Sequence, residues 1–247
     1  MGDPIATQAG HWYDKEGKPQ YTYTNSKGGT SNTTLREAKK FGYVPSVTTV
    51  IKILAAPGLE KWKMNEMMEA AATEPWLETD TDATWIAKVT EQSKRKATEA
   101  AERGTLAHGQ IEKFLLGEPY EDVEMVERVK EAMSSNSIDI TKGHAEKSFA
   151  HPMGYGGKID NFGDSWVLDF KTKAKIEDDK KLVYDEHYMQ LAAYGQGVGV
   201  KGRFLNVFIG IEDKKVAVVE HKQEDIDRGW ELFVLCLCIW KLKSGIK

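Results

Sequence analysis

The order of local patterns along this chain predicts an α/β fold: a mixed central sheet flanked by helices, preceded by a mostly helical N-terminal half. Three observations support it. Between residues 34 and 134 almost every segment has helical character. From residue 137 the pattern changes to short apolar runs at Ile138–Thr141, Ala145–Ala150, Gly156–Phe162 and Trp166–Thr172. A helix around Gln190 then separates these from strands at Phe204–Ile209 and Val216–His221, and the amphipathic stretch Glu224–Leu242 closes the chain.

The elements follow in order. Residues 1–33 are polar and rich in Gly, Asn, Thr and Tyr, with short strands expected around His11–Tyr13 and Gln20–Thr24. His11, Trp12 and Tyr13 read as strand packing residues or as a cap over the core, with no chemistry of their own. Helices are expected at Thr34–Lys40 and from Ser46, an N-cap residue, to Ala55. Pro57-Gly58 breaks the chain before a helix over Leu59–Ala72. Further helices are expected at Thr81–Ala101, Thr105–Leu116 and Glu121–Ser134. No internal repeat or low-complexity linker interrupts the 247 residues. The simplest organisation is one domain, with 1–136 as a helical elaboration and 137–247 as the α/β core, long enough to bury a substantial interior.

The chemistry concentrates in Gly156-Gly157-Lys158-Ile159-Asp160 and in Leu168-Asp169-Phe170-Lys171-Thr172. Gly163-Asp164 between them is a turn pair. A hairpin closed around that pair sets Asp160 across from Val167 and diagonal to Asp169, with roughly 7–8 Å between diagonal neighbours. Lys171, two residues beyond Asp169, points to the same face. Two carboxylates and an amine on one face suit phosphodiester hydrolysis with Mg²⁺ or Mn²⁺ held through oxygen. The bland alternative is a surface hairpin whose charges face water. Against it stands the apolar run Trp166-Val167-Leu168, because an unpaired carboxylate beside a buried strand is costly.

Two flanking segments add candidates. In Arg103-Gly104-Thr105-Leu106-Ala107-His108-Gly109-Gln110-Ile111-Glu112, the apolar residues have helical spacing, and Thr105, His108 and Glu112 share another face. His108 suits Mn²⁺ as a neutral imidazole, although a lone helical histidine is more often a surface or satisfied core residue. Downstream, Gln190 and Tyr194 lie one helical turn apart and could contact a phosphate or Lys171, although such pairs are usually structural.

The order RG-x-x-x-H, G-x-x-D, D-x-K-T and Q-x-x-x-Y resembles the RecB-like branch of the PD-(D/E)xK nuclease superfamily. The earlier Val44-Pro45-Ser46-Val47-Thr48-Thr49-Val50-Ile51, with Trp62 beyond it, resembles phage-encoded exonucleases and mitochondrial genome maintenance exonucleases of that branch. The resemblance spans roughly residues 44–194 and implies a restriction-endonuclease-like core. It implies His108, Asp160, Asp169 and the Phe170 carbonyl as ligands to Mg²⁺ or Mn²⁺, with Lys171 as the catalytic amine. Gln190 and Tyr194 match the motif that positions substrate, and Glu112 and Glu146 are accessory candidates. Every required motif position is filled, so an active enzyme on DNA is expected, with a single-strand annealing protein as the partner such enzymes often serve.

Composition is compatible with this. The net charge of −4 is unusual for a DNA binder, because phosphate contact favours positive potential. The acids, however, cluster near 66–82 and 118–131. Arg103, Lys173 and Lys175 are the candidate DNA contacts, and Lys180, Lys181, Lys201 and Arg203 continue the basic bias. A solvated charged strand explains Lys171, Lys173 and Lys175 equally well. Trp62, Trp76, Trp85 and Tyr43 read mainly as helix-packing anchors, with base stacking as the alternative. Two cysteines, Cys236 and Cys238, cannot build a four-cysteine iron–sulfur site and read as buried free thiols. Reduced thiols, and the lack of a leader pattern or spanning segment, make a cytoplasmic, non-membrane protein the expectation. Two alternatives stay open: a structure-specific or single-strand endonuclease, and a non-catalytic DNA-binding recombination accessory module.

Overall fold

Alternating apolar runs in the second half of the chain need partners for their backbone amides, and they find them in one another. A computed structural model describes residues 10–54, 57–177 and 182–246. In chain order it contains β1 (Trp12–Tyr13), β2 (Thr22–Thr24), β3 (Thr30–Asn32), α1 (Leu35–Phe41), β4 (Val44–Pro45), α2 (Val47–Ile51), α3 (Pro57–Thr73), α4 (Asp82–Leu115) and α5 (Val123–Ser135). There follow β5 (His144–His151), β6 (Tyr155–Gly163), β7 (Trp166–Lys173), α6 (Asp185–Val198), β8 (Arg203–Gly210), β9 (Val216–Glu220) and α7 (Gln223–Ser244). The fold is α/β, with the mixed five-stranded sheet expected of a restriction-endonuclease-like nuclease core.

The sheet order is β5-β6-β7-β8-β9, and every neighbouring pair is antiparallel except β7 and β8. Parallel strands need a crossover, and α6 supplies it. Tyr155, Ile159, Val167 and Phe204 of the sheet share one core cluster with Met189 and Leu191 of α6 and with Phe233 and Trp240 of α7. Trp12 joins that cluster, and its indole N–H donates to the Thr33 carbonyl at 3.0 Å; Tyr13 is buried as well, so these two are packing residues, whereas His11 is exposed. β1 pairs with β4, and β2 with β3, in two short antiparallel ribbons.

Caps set several boundaries. Ser46 Oγ accepts from the Thr49 N–H at 3.0 Å and starts α2, as the sequence indicated. Asp122 does the same for α5 through the Met125 N–H at 3.1 Å.

Several expectations need correction. Ile138–Thr141 is not a strand: Ile138 and Ile140 are buried, but Asp139 accepts from the Thr141 N–H and bends 140–142 into a single 3₁₀ turn. The two helices at Thr81–Ala101 and Thr105–Leu116 are one helix, α4, which runs through the buried Gly104; a single helical glycine costs only about 1 kcal/mol. The helix from Ser46 stops at Ile51, and Ala55 lies outside the described residues, as do Lys180 and Lys181. Of the two cysteines, both free, Cys236 is buried but Cys238 is exposed, because the two side chains project from different sides of α7.

The chain divides into two compact units, one of Met1–Leu54 with Gln110–Lys247 and one of Ala55–Gly109. Within the second, Trp76 and Trp85 lie 5.6 Å apart between ring centroids. Trp62 and Trp76 are 38% and 53% exposed, so neither is the buried anchor expected of it. No described helix is long and apolar enough to cross a membrane.

Candidate active site

The β6–β7 hairpin pairs Gly163 with Trp166, Phe162 with Val167 and Asn161 with Leu168, so Asp164 and Ser165 form the loop. The turn expected at Gly163-Asp164 is therefore one residue early. Gly163 has a packing duty instead, since a Cβ there would come within 2.7 Å of the Trp166 indole. Continued by one step, the register sets Asp160 opposite Asp169 rather than diagonal to it. The ladder ends at that point, and the Asp160 carboxylate takes over: its Oδ2 accepts the Phe170 N–H at 2.7 Å.

Asp169 is buried at 2% exposure, and its oxygens are held from three sides. Gln190 Nε2 donates to Oδ1 at 2.7 Å, while Asn206 Nδ2 at 2.9 Å and the Lys171 ammonium at 2.6 Å both reach Oδ2. Lys171, two residues along β7, shares the face of Asp169 as the strand period requires. Lys171 also donates to Gln190 Oε1 at 3.0 Å, and Gln190 Nε2 donates to the Tyr194 hydroxyl at 3.0 Å. One amide thus fixes Asp169, Lys171 and Tyr194 together. Small residues allow this closeness: a Cβ at Gly195 or Gly197 of α6 would strike the Phe204 or Phe149 ring, at 2.5 and 2.1 Å.

Burial pushes the Asp160 carboxyl well above the usual carboxylate range, and the Asp169 charge adds to it, with Lys171 opposing. The same burial and carboxylates hold the Tyr194 phenol far above its ordinary value, so it stays protonated. His187 of α6 is driven the other way, to about 3, by burial and by the charges of Lys171 and Lys173. A buried carboxyl raised in this way by burial and a neighbouring charge marks a site short of positive charge.

Other expected residues take varied places. Glu112 and Glu146 come together on Lys158, whose ammonium is 3.4 Å from Glu112 and in direct contact with Glu146. The Phe170 side chain is buried in β7. Lys173 lies over the Tyr184 ring at 5.8 Å, Lys175 pairs with Glu212 at 3.6 Å, and Arg203 pairs with Glu220 at 2.7 Å. His108 and Arg103 belong to α4 within the helical unit.

Lys158, Asn206 and His221 escaped the sequence reading. Asn206 stands beside Asp169 in the β7–β8 register, and its Oδ1 meets His221 Nε2 at 2.8 Å. Lys158 carried a readable signal, as the charged residue inside the G-x-x-D segment; Asn206 and His221 carried none.

Among the described residues, no three His, Cys, Asp or Glu side chains form a ready metal cage. The two carboxylates still fit Mg²⁺ or Mn²⁺: Mg²⁺ keeps several waters and takes one or two protein carboxylates, and the raised Asp160 marks where positive charge is missing.

No family model and no curated protein matches the chain. Solved structures that resemble it include a proposed exonuclease from Eubacterium rectale, at 13% identity over 59% of this chain and 69% of that one, with a TM-score of 0.41. An alkaline exonuclease from Laribacter hongkongensis aligns at 12% identity over 75% of this chain and 98% of its own, with a TM-score of 0.32. A phage-related exonuclease from Haemophilus somnus 129PT aligns at 14% identity over 74% and 95%, with a TM-score of 0.29. With all three TM-scores below 0.5, the site has to be read from its own geometry.

Proposed function

We propose that this chain is a Mg²⁺- or Mn²⁺-dependent deoxyribonuclease that hydrolyses phosphodiester bonds from DNA ends, in phage recombination, replication or repair. The observation that carries the reading is the Lys171 ammonium, held between Asp169 and Gln190 beside the Asp160 carboxylate. Phosphodiester hydrolysis needs the phosphate charge neutralised, a water made nucleophilic, and the growing negative charge met by a donor. Bound at Asp160 and Asp169, with the Phe170 carbonyl as a further oxygen, the metal ion would polarise the phosphate and acidify a coordinated water. Lys171 then has the donor's part: its proton-bearing nitrogen is aimed by Gln190 and costs no reorganisation. Tyr194 fixes the orientation of the Gln190 amide, since a protonated phenol accepts from Nε2. His108 is assigned a metal-binding part only by the resemblance. Lys173 and Lys175 are proposed phosphate contacts, as is Arg103, and a single-strand annealing protein is the proposed partner.

Digestion of end-labelled linear duplex, linear single strand and closed circle, with Mn²⁺, Mg²⁺ or EDTA, tests the reading. Metal-dependent loss of the linear species alone, abolished in Lys171→Ala, is expected. Cleavage of the circle would make the enzyme an endonuclease, and no cleavage under any condition would leave a DNA-binding accessory module.

A further inference from the structure

Beside the two carboxylates assigned to metal lies a second acidic pair that already holds a cation. The β5–β6 register pairs Ala145 with Asn161 and Lys147 with Ile159, so Glu146 takes the position across from Asp160. Its backbone is unusual there: φ is +54°, a left-handed value that a glutamate rarely adopts and that is retained mainly where surroundings or function demand it. Half-buried, its carboxyl is raised above the ordinary range, first by burial, while Lys158 opposes the shift. Lys158 touches Glu146 and reaches Glu112 of α4 at 3.4 Å, and the Glu146 charge in turn acts on Asp160. The acids therefore form one electrostatic group.

Charge balance then limits what the group can accept. With every acid ionised, as a bound cation would require, four carboxylates (Glu112, Glu146, Asp160 and Asp169) stand against two ammoniums (Lys158 and Lys171), an excess of two negative charges that one divalent ion would offset. Two-metal phosphodiester sites place their ions roughly 3.5–4 Å apart and need carboxylates for each. Here the spare pair is taken.

We propose that Lys158 is the built-in second cation of this site: its ammonium fills the place between Glu146 and Glu112 and leaves Asp160 and Asp169 to hold a single divalent ion. This rests on the metal-dependent reading above and specifies its stoichiometry. Lys158 is a positioning residue. It neutralises two acids that would otherwise repel an approaching phosphate or capture an unproductive ion.

Mn²⁺ titration of the full chain, with free Mn²⁺ read by electron paramagnetic resonance, tests this without relying on activity. The wild type should bind one ion, lost in Asp160→Ala. Lys158→Gln empties the acidic pair and should bind two, and the Lys158→Gln/Glu146→Gln double variant should return to one. Lys158→Arg keeps the cation and should stay at one. Two ions on the wild type, or one on a folded Lys158→Gln, would overturn the single-ion assignment while leaving metal dependence intact. No carboxylate-dependent ion on the wild type would overturn the metal-dependent reading itself.

Discussion

The sheet unit buries Tyr155, Leu168, Leu205, Phe208 and Phe233 almost completely, whereas the helical unit of residues 55–109 leaves Leu59, Trp62, Met64, Met68, Trp76 and Ile86 exposed. Among its described residues the apolar side chains that unit buries are small or medium: Ala70, Val89 and Ala107. A site that must hold an ammonium against a buried carboxylate needs rotamers locked by dense packing. The sheet unit has that packing; the helical unit, read by itself, leaves large apolar side chains exposed instead. The densely packed candidate site and the exposed apolar side chains thus belong to different units.

Three substitutions would break or sharpen that contrast. The largest effect is expected for Phe208→Ala. The ring is fully buried in β8, and its removal should cost about 3–5 kcal/mol of unfolding free energy in a urea titration. A loss below about 1 kcal/mol would mean the sheet core is not the rigid support described. Asn206→Ala should come second. It leaves the partly buried His221 without its partner and removes one of the two donors to Asp169 Oδ2, at about 1–3 kcal/mol of stability. By removing a support of Asp169, a proposed metal ligand, it should also weaken Mn²⁺ affinity by about 10–100-fold. Unchanged affinity would reduce Asn206 to a packing residue. Trp62→Ala should move stability least, by less than about 0.5 kcal/mol, because α3 leaves the ring 38% exposed. A loss comparable to that of Phe208→Ala would show that the helical unit has a core of its own after all.

Much of the fold was legible because its signals are local. The β5, β6 and β7 runs, the Ser46 cap and the α6 helix all follow from residues within a few positions of one another. The Asp160–Asp169 pairing came through a turn placed one residue early, because both versions of the turn have two residues and keep the same parity. Ile138–Thr141 misled for the opposite reason: its apolar content was real, but the local hydrogen bonds of Asp139 bend the chain there. The two helices expected on either side of Gly104 are one, because a helix tolerates an isolated buried glycine.

The sequence alone determined which candidate residues share a face: Asp160, Asp169 and Lys171 on adjoining strands, and Gln190 and Tyr194 on one helical face. Short-range periodicity dictates which side chains can meet within an element or across a tight hairpin. Only the tertiary structure decided that Asn206 supports Asp169, that Gln190 ties the acid to the amine, and that Lys158 draws Glu112 and Glu146 into the same electrostatic group. Those partners lie 12 to 46 residues apart along the chain. Contacts at that separation depend on how strands pair and how closely α6 packs, and no periodicity of 2 or 3.6 residues encodes either.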